Sequence, residues 1–83
     1  MGSIVAGVTK SVFTKRYQVF LSLLIEARQS KGLSQRDVAK RLKKIQSYVS
    51  KYERGERRLD VVEFLDVAKV LDVDPHEIID RLA

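Results

Sequence analysis

The sequence predicts an all-α domain of five helices, on three observations. Three helix starts share one grammar of cap and first-turn residues, apolar side chains recur at helical spacing after them, and no segment reads clearly as a strand. The connections are only a few residues long, so neighbouring helices must pack at steep angles.

Residues 1–13 show weak periodicity and two glycines, and are expected to form an N-terminal arm or flexible extension to a domain spanning 14–83. A first amphipathic helix runs from about Lys15 to Ser30 and stops at Gly32. In L-S-Q-R-D-V, Ser34 caps a helix starting near 35, Asp37 reaches back to complete the box, and Leu33 packs on Val38 as a staple. A third, short helix from Ile45 to Arg54 ends at Gly55 in the left-handed stop position. L-D-V-V-E-F repeats the cap with Asp60, Glu63, Leu59 and Phe64 and starts a helix near 61. In D-P-H-E, Asp74 is the cap, Pro75 fills the first helical position and Glu77 completes the box, starting the last helix near 75.

Eighty-three residues suffice for one small core. With no cysteine and one histidine, neither a disulfide framework nor a cysteine or multi-histidine metal site is available, and no cofactor is expected. Apolar runs never exceed three residues, and the start MGSIVAG lacks the basic segment and apolar stretch of a secretory signal, so the expected location is cytoplasmic.

The net charge of +5 is unevenly spread: residues 1–30 carry +3, residues 31–59 carry +7 and residues 60–83 carry −5. A basic middle and an acidic end give one face that attracts a polyanion and another kept off it.

The second and third helices direct this attraction. At about 100° per residue, Val38, Ala39 and Leu42 share one face, and Ile45, Val49 and Tyr52 share another that meets it. The opposite side of the third helix then shows Ser47, Ser50, Lys51 and Arg54, flanked by Gln46 and Tyr48. Small Ala39 stands where two helices joined by a tight turn must approach closely, as in a helix-turn-helix.

With G-L-S-Q-R-D-V-A-K-R-L at 32–42, Q-S-Y-V-S-K-Y-E-R-G at 46–55 and F-L-D-V-A-K-V-L-D-V at 64–73, the chain resembles the phage repressor and Cro type of helix-turn-helix, the xenobiotic-response-element family, over about residues 15–82. The resemblance implies a compact five-helix, repressor-like DNA-binding domain whose recognition helix, 46–54, lies in the major groove. It also implies base contacts by Gln46, Ser47, Tyr48 and Lys51, a phosphate contact at Gln35, and an ion pair of Arg28 with Glu53 that makes Glu53 a strut. The turn departs from the family pattern: Lys43 stands where a glycine is favoured, Lys44 where an apolar residue is, and Ile45 where a serine or threonine cap is. Ile45 is expected to supply the apolar contact that Lys44 vacates.

Arg54, Arg57 and Arg58 bracket Gly55 just after the recognition helix and are candidates for phosphate oxygens, with Arg36, Lys43 and Lys44. Basic runs are more often solvated faces, which is the plain alternative for Lys40, Arg41, Lys43 and Lys44. Gln46 is able to bond adenine bidentately and Lys51 to donate to guanine, though either can instead meet phosphate or water. Tyr48 suits a thymine methyl or a place on the core's flank, Ser50 can bond within its own helix, and Tyr52 with Phe64 reads as core. His76, beside Glu77 and Asp80, lacks a second imidazole or thiol and reads as surface. No nucleophile, base and orienting group form a recognisable set, so no enzyme is expected.

The fourth helix has more apolar residues than one stripe requires. Phe64, Val67, Ala68 and Leu71 suit the core, so some of Val61, Val62, Leu65 and Val70, with Ile79 and Leu82 of the last helix, remain for a second face. Val62, Leu65, Ile79 and Leu82 are the candidates for a homodimer interface, the plain alternative being a small core that uses both faces. A two-fold protein would match half-sites about 34 Å apart. The expected partner is double-stranded DNA, read by a regulator that represses or autoregulates transcription. The alternative is an antitoxin-type protein whose main partner is a toxin-like protein. A membrane-surface role is disfavoured, because the apolar faces of the basic helices are already claimed by the core.

Overall fold

The computed structural model describes residues 14–83, and the expected arm at 1–13 lies outside the described residues. Five helices follow in order: α1 Lys15–Ser30, α2 Gln35–Leu42, α3 Gln46–Glu53, α4 Val61–Leu71 and α5 Pro75–Leu82. No strand occurs among the described residues.

The caps explain the boundaries. Thr14 Oγ1 accepts the Tyr17 N–H at 3.1 Å and starts α1. At the head of α2, Ser34 accepts from the Asp37 N–H at 3.0 Å while Asp37 accepts from the Ser34 N–H at 2.8 Å. Asp60 and Glu63 repeat this reciprocal box at the head of α4, at 2.7 and 3.0 Å. Such a box satisfies two backbone donors that the helix itself leaves unpaired. Asp74 caps α5 differently from the expected box: its carboxylate accepts the His76 N–H at 2.9 Å and also meets the His76 ring nitrogen at 3.1 Å. With the carboxylate turned to position 76, Glu77 completes no reciprocal pair.

Two helices end on left-handed residues that are not glycine, Lys43 at φ 60° after α2 and Asp72 at φ 56° after α4. Both close the same way, with the next residue's N–H reaching back into the helix: Lys44 to Ala39 O at 2.9 Å and Val73 to Ala68 O at 3.0 Å. Aspartate tolerates this conformation better than most residues, whereas lysine there costs about 1 kcal/mol relative to glycine. Gly55, at φ 80°, closes α3 without that cost.

The core draws on every helix: Leu23 and Leu24 from α1, Val38 and Ala39 from α2, Val49 and Tyr52 from α3, Phe64, Val67, Ala68 and Leu71 from α4, and Ile78 from α5. Leu33 packs half-buried against it, as a staple residue should. Phe20 meets Phe64 edge-on at 5.2 Å and Tyr17 at 5.4 Å, extending the aromatic packing along α1. The expected inward faces of α2 and α3 therefore meet, with one correction. Ile45 is 74% exposed and is not one of the buried or half-buried residues of the core. It precedes the helix in extended backbone, φ −81° and ψ 158°, so the 100° spacing that carries Val49 and Tyr52 inward does not apply to it.

Candidate nucleic-acid interface

Glu53, at the end of α3, fixes that helix from inside. Its carboxylate accepts from Arg28 Nε at 2.7 Å, Arg28 Nη2 at 3.0 Å and Gln35 Nε2 at 2.9 Å. Arg28 spends a further donor on Leu33 O at 2.9 Å. The Arg28 and Glu53 side chains are 13% and 5% exposed, so this is a largely dry, fully bonded pair that ties α1, α2 and α3 together.

Held this way, α3 turns Val49 and Tyr52 inward and leaves Gln46, Ser47 and Lys51 exposed. Burial of Tyr52 pushes its phenol far above the usual tyrosine range, as suits a core ring. Gln46 shares an open surface groove with Gln35, Arg36, Ser34 and Arg28, so the starts of α2 and α3 lie side by side. Lys43, Lys44 and Ile45 form the exposed tip of the connection. No side chain caps α3, because Ile45 has no polar atom to offer.

Tyr48 sits apart from that edge. Its half-buried ring lies edge-on to Tyr52 at 5.8 Å, with Arg57 4.7 Å and Lys44 Nζ 5.2 Å from its centroid. It helps line a depression between α2, α3 and α4 with Glu63 and Asp66. Burial raises its phenol above the ordinary value, as does the charge of Glu63, while Arg57 opposes.

The three arginines around Gly55 are placed unlike one another. Arg54 bonds the Glu56 carboxylate at 2.8 and 3.2 Å and also donates to Ser50 Oγ. That pairing raises the Arg54 guanidinium above its usual value and lowers Glu56. Arg57 bonds Glu63 in a two-pronged contact at 2.7 and 3.2 Å. The guanidinium, then the Asp60 N–H, hold the Glu63 carboxyl down at about 2. Arg58 lies over the Tyr17 ring at 4.7 Å, and the Tyr17 hydroxyl accepts the Leu59 N–H at 3.1 Å. The loop after α3 is thus moored to α4 on one side and α1 on the other.

Two comparisons place this arrangement among known proteins. A helix-turn-helix family model, HTH_3, matches residues 24–78. A solved structure described as an XRE-family like protein from Pseudomonas syringae pv. tomato str. DC3000 is 45% identical, with a TM-score of 0.81 over 90% of this chain and 92% of that one. The chain belongs to the XRE-type helix-turn-helix family. No curated protein matches it. As an XRE-type domain it is a DNA-binding transcriptional regulator.

Within this XRE-type domain the sequence-predicted site residues divide into groups. Gln46, Ser47 and Lys51 stand together on the exposed side of α3, and Gln35 and Arg36 stand across the groove from Gln46. Gln35 has its amide nitrogen committed to Glu53, and Arg54 and Arg57 each have a carboxylate partner. Tyr48 is drawn to the α4 side, between cations. Of the apolar candidates for a second face, Val62, Leu65 and Ile79 are exposed. Leu82 instead packs half-buried against the core, and its carbonyl accepts from Arg16 at 2.9 Å, which fastens the end of α5 to the start of α1.

The bonds that sequence reading missed cross between elements. Gln35 to Glu53, Arg57 to Glu63 and Tyr17 to Leu59 join residues whose spacing carries no periodic signal. Among the described residues there is no group of three or more histidine or carboxylate side chains able to hold a metal, and no helix is long and apolar enough to cross a membrane.

Proposed function

We propose that this chain recognises a specific double-stranded DNA sequence, docking α3 in the major groove as a homodimer, and that it represses or autoregulates transcription in the cytoplasm. One observation carries the reading: an exposed edge of Gln46, Ser47 and Lys51 on a helix fixed from behind by the buried Glu53 bonds. A rigid helix presenting amide, hydroxyl and ammonium groups has the donors and acceptors that base edges require. Arg36, Lys43 and Lys44, with the arginines around Gly55, supply positive charge for the flanking phosphates. Arg54 and Arg57 would reach them while sharing donors with Glu56 and Glu63.

Exposed Val62, Leu65 and Ile79 on the acidic helices α4 and α5 support a protein partner there, and a second copy of this chain is the reading favoured. A toxin-like protein is the alternative occupant. Selection of bound sequences from a random duplex pool, followed by affinity measurements across salt concentrations, tests the DNA reading. Enrichment of a two-fold symmetric motif is expected. No enriched motif, with duplex bound no better than a generic polyanion, would refute it. Leu65→Asp should convert the dimer to a monomer in sedimentation; an unchanged dimer rules out this face.

A further inference from the structure

Ile45 breaks two rules at once. It occupies the cap position of α3 without a polar atom to bond the helix's first N–H groups, and it holds an isoleucine side chain 74% in water. The helix gains no side-chain cap in return, and Ile45 is not among the buried or half-buried residues that build the core. Two residues earlier, Lys43 adopts a left-handed conformation that disfavours any side chain. Local rules broken without local compensation mark a place where the return comes from something bound.

The surroundings narrow what that is. Ile45 immediately precedes Gln46 at the N-terminal end of α3, the end of a recognition helix that faces base edges. Its near neighbours in the chain are Lys43, Lys44, Gln46 and Ser47, all exposed, so it is an exposed apolar residue within a polar, basic stretch. That pattern does not suit an apolar protein partner, which needs a contiguous patch. The major groove of DNA displays one apolar group, the 5-methyl of thymine, set among hydrogen-bonding atoms and flanked by phosphates.

We propose that Ile45 is a specificity-determining residue that packs on a thymine 5-methyl group beside the base read by Gln46. The inference rests on the DNA reading above and adds a thymine requirement that the polar edge alone does not impose. Burial of one methyl corresponds to roughly a fourfold change in affinity for each half-site.

The experiment replaces each thymine of the selected duplex, one at a time, with deoxyuridine, which removes only the methyl, and measures Kd for the wild-type chain, Ile45→Ser and Ile45→Val. Serine is a favoured cap, so Ile45→Ser should fold at least as well as wild type, which circular dichroism melting checks. At one thymine, uracil should weaken wild type roughly fourfold, weaken Ile45→Val similarly, and leave Ile45→Ser unaffected. An enriched motif without thymine, or uracil effects identical in wild type and Ile45→Ser at every position, would overturn the inference and leave the regulator reading standing. Failure to enrich any motif would sink both.

Discussion

Removing the carboxylate of Glu53 should unfold most of what positions α3, and the size of the effect follows from its bonds. Glu53→Ala deletes the acceptor for three hydrogen bonds and strands the Arg28 guanidinium, whose side chain is only 13% exposed. Breaking a buried pair from one side costs about 3–5 kcal/mol, a large part of the roughly 5–15 kcal/mol that holds a domain folded. For a domain of this size the melting temperature should fall by roughly 12 to 40 °C. Arg28→Met combined with Glu53→Leu exchanges the pair for apolar groups of similar volume and should melt close to wild type. Thermal melts by circular dichroism give both numbers. A loss below about 1 kcal/mol for Glu53→Ala, or a double variant no better than the single one, would refute the reasoning that the cost is a stranded buried charge. The folded double variant also separates holding from aiming. If the ion pair sets the angle of α3, operator preference should fade in it although stability is kept.

Lys43→Gly should stabilise the domain by about 1 kcal/mol and raise the melting temperature by roughly 4–8 °C, because glycine adopts the left-handed turn freely. Glu63 has its folded value depressed to about 2 from an ordinary 4.5, so its contribution is fully present above about 4.5 and fades as pH falls towards 2. Melts across that window should drop for wild type and less steeply for Glu63→Gln, and parallel curves would contradict the assignment. Lys51→Ala should relax preference at one base position, whereas Arg36→Ala should weaken all duplexes alike and reduce the salt slope by roughly one. Binding titrations at several salt concentrations tell these apart, and equal effects from both would remove the distinction between reading and anchoring.

What could be read from the chain was what is local. The boxes at Ser34 with Asp37 and Asp60 with Glu63 are written within four residues, and the inward set Val38, Ala39, Val49 and Tyr52 follows from helical spacing. Ile45 escaped that reading because it lies one residue outside the helix, where the spacing has no force. The Asp74 cap was legible, while its preference for His76 over a reciprocal bond with Glu77 was not, because a single carboxylate can turn to either neighbour. Nor was the partnering of the arginines. Arg57 finds Glu63 only once the loop from Gly55 to Asp60 has folded back, and Leu82 reaches the core only once α5 has returned to α1. The Arg28, Glu53 and Gln35 cluster came half from family resemblance, and the glutamine was added by geometry.

The turn between α2 and α3 bears on how such a protein would change under selection. Lys43→Gly and Ile45→Ser are obvious routes to a hardier fold, and both lie at the tip beside Gln46. A laboratory population challenged only with heat would therefore reach these positions early and arrive at variants that survive boiling better while losing their grip on the sequence they were kept to find. Counter-selection on operator binding should hold Ile45 in place and push the gains elsewhere, so the order in which the two positions change is itself a readout of what the isoleucine is for.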